Sequence, residues 1–340
     1  MSPRQRPTLH DVAERAGVSY QTVSRVINQQ RYVADDTRAR VLTAIAELGF
    51  RPNRAAQSLA GNRSRTLGMI TFGINQYGPA QMMIHIEQAA RAAKYDLIFA
   101  NVNDTSMLSM RAAIETLLHW QIDGLLCVTP VAGVTYDDLR LLCGAMPIVQ
   151  IGSQPGAESP SAVIDQAHGV RLAAEHLLTL GHRQFAEIRG PADWIDAHVR
   201  HETLVAALAA AGATLAASHE GDWTADSGYR LTQQMLHAGA AFTALVAAND
   251  QMALGALMAL RERGVGVPEQ ISVVGYDDIP EAVYFAPPLT TVRQNFAQLG
   301  RDGIEYLLEW IHTPDTPIMQ RTTQPALVVR GSTGVVSAER

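Results

Sequence analysis

Two kinds of side chain are nearly missing from this sequence. Lysine occurs once in 340 residues, at Lys94, with Tyr95 after it. No phosphate loop ending in lysine and serine or threonine can therefore be written, and Schiff-base chemistry would have to rest on that one amine. Cysteine occurs twice, at Cys127 and Cys143, too few for a disulfide framework or a thiolate metal site in a chain this long. The 11 histidines form no pair at metal-ligand spacing around a glutamate, and no Gly-x-Ser-x-Gly elbow occurs. No apolar run is long enough to span a bilayer. The opening MSPRQRPTLHD is basic but has no apolar signal core, so a cytoplasmic protein is expected. These gaps give an enzyme little to work with and imply no cofactor.

What is present is the composition of a globular protein of more than one domain, 47% hydrophobic and 18% charged. The net charge of −6 is unevenly spread. Residues 1–65 hold 11 Arg against 5 Asp or Glu, a net of +6, which leaves −12 for the other 275 residues. A basic head on an acidic body attracts phosphates at one end and repels them elsewhere. Arg4, Arg6, Arg31, Arg51 and Arg54 are plausible phosphate contacts, although each could equally be a solvated charge.

The head has its own punctuation. Thr8 caps a first helix in which Leu9, Val12, Ala13 and Ala16 share a side; Gly17 stops it, and Ser19 caps a second. In the second helix Val23, Val26 and Ile27 form the apolar side, while Tyr20, Gln21, Ser24, Arg25 and Asn28 occupy the opposite arc. That arc carries base-reading chemistry, an arginine fork for guanine and carboxamides for adenine, but a solvated helix face would look the same. Val41, Leu42, Ile45 and Leu48 predict a third helix with a core stripe, and Asp35 and Asp36 suit its positive end. Three short helices can bury one small core. After a break at 49–52 comes a run, 53–61, too short to hold as a helix alone in water.

VSYQTVSRVINQ followed by PNRAAQSLAG resembles the lactose-repressor and galactose-repressor (LacI/GalR) family of bacterial transcription factors. The resemblance implies that the second helix enters the major groove and that the short run becomes a hinge helix on operator DNA. Leu59 would then be a wedge that unstacks one minor-groove step, the kink being offset by extra protein contact. A linker residue packed on the next domain is the plain alternative for Leu59. The DNA-contacting set implied is Thr8, Ser19, Tyr20, Gln21, Thr22, Ser24, Arg25, Asn28, Tyr32, Asn53, Arg54, Ala56, Gln57 and Leu59.

From Leu67 onward apolar runs alternate with longer helical stretches, the signature of parallel sheets covered on both faces. Strands are expected at 67–72, 97–102, 124–128, 148–151, 162–164, 185–188, 244–247, 271–276 and 326–330. Helices are expected at 80–93, 111–120, 169–180, 196–211, 226–238, 251–263 and 295–312. So many units exceed one sheet, and two lobes with a ligand cleft at the strand ends are the natural solution. The stretches EHLLTLGH, EGDW, ANDQMALGAL, ISVVGYDD and PPLTTVRQNF extend the resemblance over nearly the whole chain and imply an α/β periplasmic-binding-protein-like core. The expected division is a helix-turn-helix head at 1–52, a hinge at 53–65 and a core at 66–340. Lobe one takes about 66–162 and 294–320, lobe two about 163–293 and 321–331. A homodimer on pseudo-palindromic operator DNA is implied, with no role at a membrane.

Arg200, Asn249 and Asp277 fall at or near strand ends, and Trp223 follows the turn-like Gly221 and Asp222. Guanidinium, amide and carboxylate groups grip neighbouring hydroxyls, and an indole covers the C–H face of a pyranose. By resemblance Arg200, Trp223, Asn249, Asp277, Gln294 and Phe296 match effector positions, with Trp194 in the GPADW loop a further candidate. Trp223 or Phe296 could instead be lobe packing, and Asn249 a helix cap. Adjacent residues on a strand end point apart, so Asp277 and Asp278 read as one ligand and one structural group. Val128 and Gly152 stand where the lactose-repressor branch presents an asparagine and an aspartate, a departure that bears on galactoside specificity. The expectation is a repressor controlled by a sugar or glycoside. A purine or phosphoprotein co-repressor, or a solute-binding protein without DNA function, are the alternatives.

Overall fold

The computed structural model describes residues 7–27, 32–50, 63–131, 133–152, 158–313 and 315–336. They divide into two units, Met1–Ser64 and Arg65–Arg340, each taken by itself below.

The first unit holds α1 (Leu9–Ala16), α2 (Tyr20–Ile27) and α3 (Asp35–Leu48). A reciprocal cap starts α1: Thr8 Oγ1 accepts from the Asp11 N–H at 3.3 Å, and the Asp11 carboxylate accepts from the Thr8 N–H at 2.7 Å, worth about 1 kcal/mol. Gly17, at φ +64°, ends it in the left-handed region. The Ser19 hydroxyl then accepts from the Thr22 N–H at 3.2 Å and begins α2. Val12, Ala13, Ala16, Val23, Val26, Val41, Ala44 and Phe50 make the core. Leu42 does not join it, being 54% exposed. The buried stripe of α3 runs through Val41 and Ala44 with Ile45 and Leu48 beside it, and one position past Val41 lies about 100° round the helix.

The second unit contains two six-stranded sheets. The first comprises β1 (Thr66–Phe72), β2 (Asp96–Val102), β3 (Gly124–Val128), β4 (Ile148–Ile151), β5 (Ser161–Ile164) and β11 (Gln320–Thr323), in the order β11-β5-β4-β3-β1-β2 and parallel throughout. The second comprises β6 (Gln184–Arg189), β7 (Thr214–Glu220), β8 (Ala244–Ala247), β9 (Ser272–Asp277), β10 (Thr290–Arg293) and β12 (Ala326–Val328). Its order is β12-β10-β9-β8-β6-β7, with only β12 antiparallel. The first sheet carries α4 (Tyr77–Ala92), α5 (Met107–Leu118), α6 (Tyr136–Cys143) and α11 (Phe296–His312). The second carries α7 (Gln166–Thr179), α8 (Ile195–Ala210), α9 (Ala225–His237) and α10 (Asp250–Glu262). Each sheet thus has an apolar cluster on either face. No helix among the described residues is long and apolar enough to cross a membrane.

The central strands lie where the apolar runs place them, but several elements differ from expectation. β7, β10, β11 and α6 carry weak apolar signals and were not expected; α6 is announced only by its Thr135–Asp138 capping box. Thr322 pairs with Val163 and Thr323 with Ile164, so β5 and β11 both belong to the first sheet. Lobe boundaries drawn at 162 and 320 therefore cut through two strands. Lys94, exposed and at φ +64°, closes the turn between α4 and β2.

Helices α9 and α10 pack with their backbones nearly touching. A Cβ at Gly255 would overlap the Ala225 carbonyl oxygen and lie 2.6 Å from the Tyr229 nitrogen. Gly255→Ala is expected to cost about 1–3 kcal/mol by overpacking, seen as a lower urea midpoint. An unchanged midpoint would mean that the two helices part easily.

Candidate ligand cleft and nucleic-acid interface

In the first unit the second helix presents Gln21 and Arg25 on its exposed side, with Tyr20 46% exposed and its ring 5.0 Å from that of His10. Ser24 lies partly covered on the same side. Thr8 and Ser19 spend their hydroxyls on caps, and Thr22 Oγ1 sits 2.9 Å from Ser19 Oγ, so these three shape the helix starts. Tyr32 is 94% exposed after α2. Asn28, Asn53, Arg54, Ala56, Gln57 and Leu59 lie outside the described residues, as do Arg4, Arg6, Arg31 and Arg51. The described part is a short polar helix face ending in a guanidinium, of a size that fits a major groove.

In the second unit a cleft of about 440 Å³, counted to its mouth, opens between the two sheets. Its second-lobe wall is Trp194, Asp196, Arg200, Trp223, Asn249 and Asp277, with Gln294 at the back. Gln76, Tyr77, Gly78, Pro79, Met82 and Pro130 face them from the first lobe. The site forms where strands end. Asp277 is the last residue of β9, and Asn249 follows β8 by two residues. Arg200 stands on α8, behind them.

Asp277 and Asp278 divide their roles. Both adopt positive φ, +114° and +54°, a strain of about 1–3 kcal/mol each that the surroundings must offset. The Asp278 carboxylate is clamped by Arg293 Nε and Arg330 Nη2, each at 2.6 Å. Asp250, wholly buried, accepts from the Ile279 N–H at 2.8 Å and from Thr291 Oγ1 at 2.5 Å, pinning the loop on either side. Burial, and then the charge of Asp277, push the Asp250 carboxyl well above the usual carboxylate range. That leaves Asp277 facing the cleft. Burial raises its pKa to about 6, against the opposing pull of the Arg200 guanidinium and a hydrogen bond from Gln294.

A continuous hydrogen-bond line joins the charged groups. Arg200 Nε donates to Gln166 Oε1 at 3.0 Å, Gln166 Nε2 to Gln294 Oε1 at 2.9 Å, and Gln294 Nε2 to Asp277 Oδ1 at 2.6 Å. Arg200 also donates to the Ala248 carbonyl, and its guanidinium carbon stands over the Tyr276 ring, 3.7 Å from the centroid. Asn249 has both amide ends engaged: Oδ1 caps α10 by accepting from Met252 N–H, and Nδ2 donates to the Trp223 carbonyl, each at 2.9 Å. It thereby holds Trp223 at φ +70°, with the indole buried and Nε1–H without a hydrogen-bond partner among the described residues.

Trp194 stands at the rim, its ring 5.4 Å from Trp223 in a T-shaped arrangement and 6.0 Å from Phe72 of the first lobe. Its backbone bridges to Val131, and the Ile195 N–H donates to the Pro130 carbonyl at 2.8 Å. Phe296 is not on the cleft surface. It is buried in the first-lobe core, edge-on to Tyr77 at 6.2 Å, so Tyr77 is the aromatic that shows. The Tyr77 hydroxyl is pushed up to about 12 by burial and by the nearby carboxylates, led by Asp277. Val128 is core, and Gly152 lies with the Met82 thioether 3.7 Å from where its Cβ would be. The first-lobe wall is accordingly apolar apart from Gln76 and Tyr77. Sequence reasoning missed Tyr77, Asp196 and Gln166. Asp196 lay two residues from Trp194 in a loop already singled out, whereas Gln166 carried no signal beyond its nearness to a strand end. Burial raises the Asp196 carboxyl, partly offset by Arg200.

Comparison with known proteins gives two family matches. Residues 8–53 match the model of bacterial regulatory proteins, lacI family, and residues 174–333 that of a periplasmic binding protein-like domain. The chain is 38% identical over 302 residues to the lactose operon repressor of Escherichia coli (strain K12), covering 89% of this chain and 84% of that one. It is 36% identical over 333 residues to the HTH-type transcriptional repressor PurR of Haemophilus influenzae (strain PittEE), covering 96% and 98%. Among solved structures, the lac repressor dimer bound to operator and the anti-inducer ONPF superposes with a TM-score of 0.89 at 36% identity, covering 97% of this chain and 100% of that one. The transcriptional regulator CelR–cellobiose complex gives 0.72 at 31%, covering 96% and 100%.

The buried Asp277 carboxyl makes stability depend on pH. Its native pKa of about 6 stands above the ordinary 3.8, so from about pH 4 to 6 the folded chain keeps a proton that the unfolded chain has lost, and stability falls as pH rises. Relative to Asp277→Asn, the wild type is expected to lose about 1 kcal/mol between pH 5 and pH 7.5. Urea denaturation of both proteins at the two pH values checks it, and a constant difference would contradict a raised pKa.

Proposed function

The chain belongs to the lacI family of bacterial regulatory proteins, and on that premise we propose that its cleft takes a sugar or glycoside whose binding sets how tightly the head holds operator DNA. It is a DNA-binding transcriptional repressor, not an enzyme. The observation that carries the ligand class is the pairing of Arg200 and Asp277, joined through two amides, beside the Trp223 indole. A guanidinium and a carboxylate grip neighbouring hydroxyls with charge-assisted bonds, and an indole face covers axial C–H groups. The buried Trp223 N–H calls for an acceptor, and a ring or hydroxyl oxygen is one. The relatives support the reading, since one similar structure was solved with ONPG and another with cellobiose.

The chain works in the cytoplasm as a homodimer on a pseudo-palindromic operator, as a two-fold pair of heads requires. Its parts are the head at 1–52, a hinge at 53–65 and the core at 66–340. Inducer binding changes the angle between the lobes, separates the paired hinge segments around Leu59 and releases DNA. A ligand moves this equilibrium only by its differential affinity for the two states.

Titration of the chain's own promoter region at fixed salt, with galactosides, glucosides, their free sugars and a purine base, tests the reading. One sugar or glycoside is expected to shift operator affinity about 5–150-fold, and Arg200→Ala to abolish the shift while the head still binds operator specifically. Tight operator binding that only the purine changes would replace the sugar with a base; no specific DNA binding would remove the regulator. Leu59→Ala is expected to weaken operator binding by roughly tenfold or more while sparing sugar affinity. Unaltered operator affinity would dismiss the wedge.

A further inference from the structure

Gln166 and Gln294 stand where the chain passes from one lobe to the other. Gln166 comes two residues after β5 of the first sheet ends at Ile164 and opens α7, which packs on the second sheet. Gln294 follows β10 of the second sheet, ending at Arg293, and precedes α11, which packs on the first. Two of the three lobe crossings are therefore tied to each other by one amide–amide hydrogen bond of 2.9 Å, between side chains 4% and 7% exposed.

The ends of this pair fix its direction. Arg200 can only donate and an ionised Asp277 can only accept, so each amide has one orientation that satisfies its neighbours. All three bonds point the same way, from the positive group to the negative one, and each polarises the next. Gln166 is not on the cleft surface, while Arg200 and Asp277 are. Any turn of one lobe against the other must twist the crossings and strain this line.

We infer that the Gln166–Gln294 pair is a strap holding one lobe arrangement, and that a ligand gripping Arg200 and Asp277 acts on the lobe angle by pulling the strap's two ends. The inference rests on the two-lobed regulator reading above. Gln166 is a positioning residue, touching no ligand and acting through Arg200 and Gln294.

The test uses the full chain on its promoter region at fixed salt, with and without saturating sugars of the same panel. Gln166→Met keeps the length and removes the bonds. In buffer alone its operator Kd is expected to move at least about fivefold towards that of sugar-saturated wild type, and its response to saturating sugar to shrink by a similar factor. A second pair of variants checks the polarity. In Gln166→Glu the new carboxylate accepts from both Arg200 and Gln294, turning the Gln294 amide so that its oxygen meets the Asp277 carboxylate. Adding Asp277→Asn supplies a donor there and closes the line again, with the Gln294 bonds on both sides reversed and Arg200 still donating. The single variant is expected to shift the operator Kd in buffer, and the double variant to recover it to within about twofold. Variants of Gln166 that bind operator and respond to sugar as wild type does would overturn the strap, and so would a double variant no better than Gln166→Glu. If no sugar acts on the wild type, the sugar reading fails separately, and the operator Kd values in buffer still decide for or against the strap.

Discussion

A charge taken out of water must find a partner, and in this protein the partners of one carboxylate account for much of the second lobe. Asp277 is nearly enclosed, and the positive charge of Arg200 reaches it through two glutamines. Desolvation of that kind is tolerated only where geometry is good and every remaining hydrogen-bonding position is filled. Hence the investment around it: Asp250 pinning the loop, Asp278 clamped between two arginines, and two residues held at unfavourable φ. These groups do not touch the cleft in order to bind. They keep one acid pointed at it.

The architecture explains why this happens at the seam. Parallel strands leave their carboxyl ends ragged, and side chains that end a strand have no ladder partner beyond them. Asp277 ends β9 and Asn249 follows β8, while the first lobe answers with Tyr77, Pro79 and Met82 from the start of α4. The cleft is polar on one wall and apolar on the other. Its contents are therefore oriented by which wall they suit, before any single contact is counted.

How much of this could be read from the sequence depended on how each element is stabilised. Strands buried on both faces, such as Gly124–Val128 and Ala244–Ala247, are unbroken apolar runs, and their limits were legible to the residue. Thr214–Glu220 and Gln320–Thr323 are edge strands with mixed faces, and nothing in their side chains marks them. Six helix starts of the core were expected one to four residues late, as at Met107–Leu118, and only that of Phe296–His312 one residue early, because caps rather than apolar spacing define a first turn. Arg200, Trp223, Asn249, Asp277 and Gln294 converge on the cleft through family pattern joined to strand-end position. Gln166 escaped because its chemistry exists only once Arg200 and Gln294 are beside it.

The scarcity of lysine has a practical side. The basic head owes its positive charge to 11 arginines and no lysine, so its grip on phosphate cannot be acylated away or titrated off near neutral pH. Apart from the α-amine, an amine-directed dye has one target, the exposed Lys94 at the turn between α4 and β2. Each copy of the chain thus offers such a dye a single side chain, on its first lobe, with every arginine of the DNA-reading head untouched, a built-in address from which that lobe can be watched one molecule at a time.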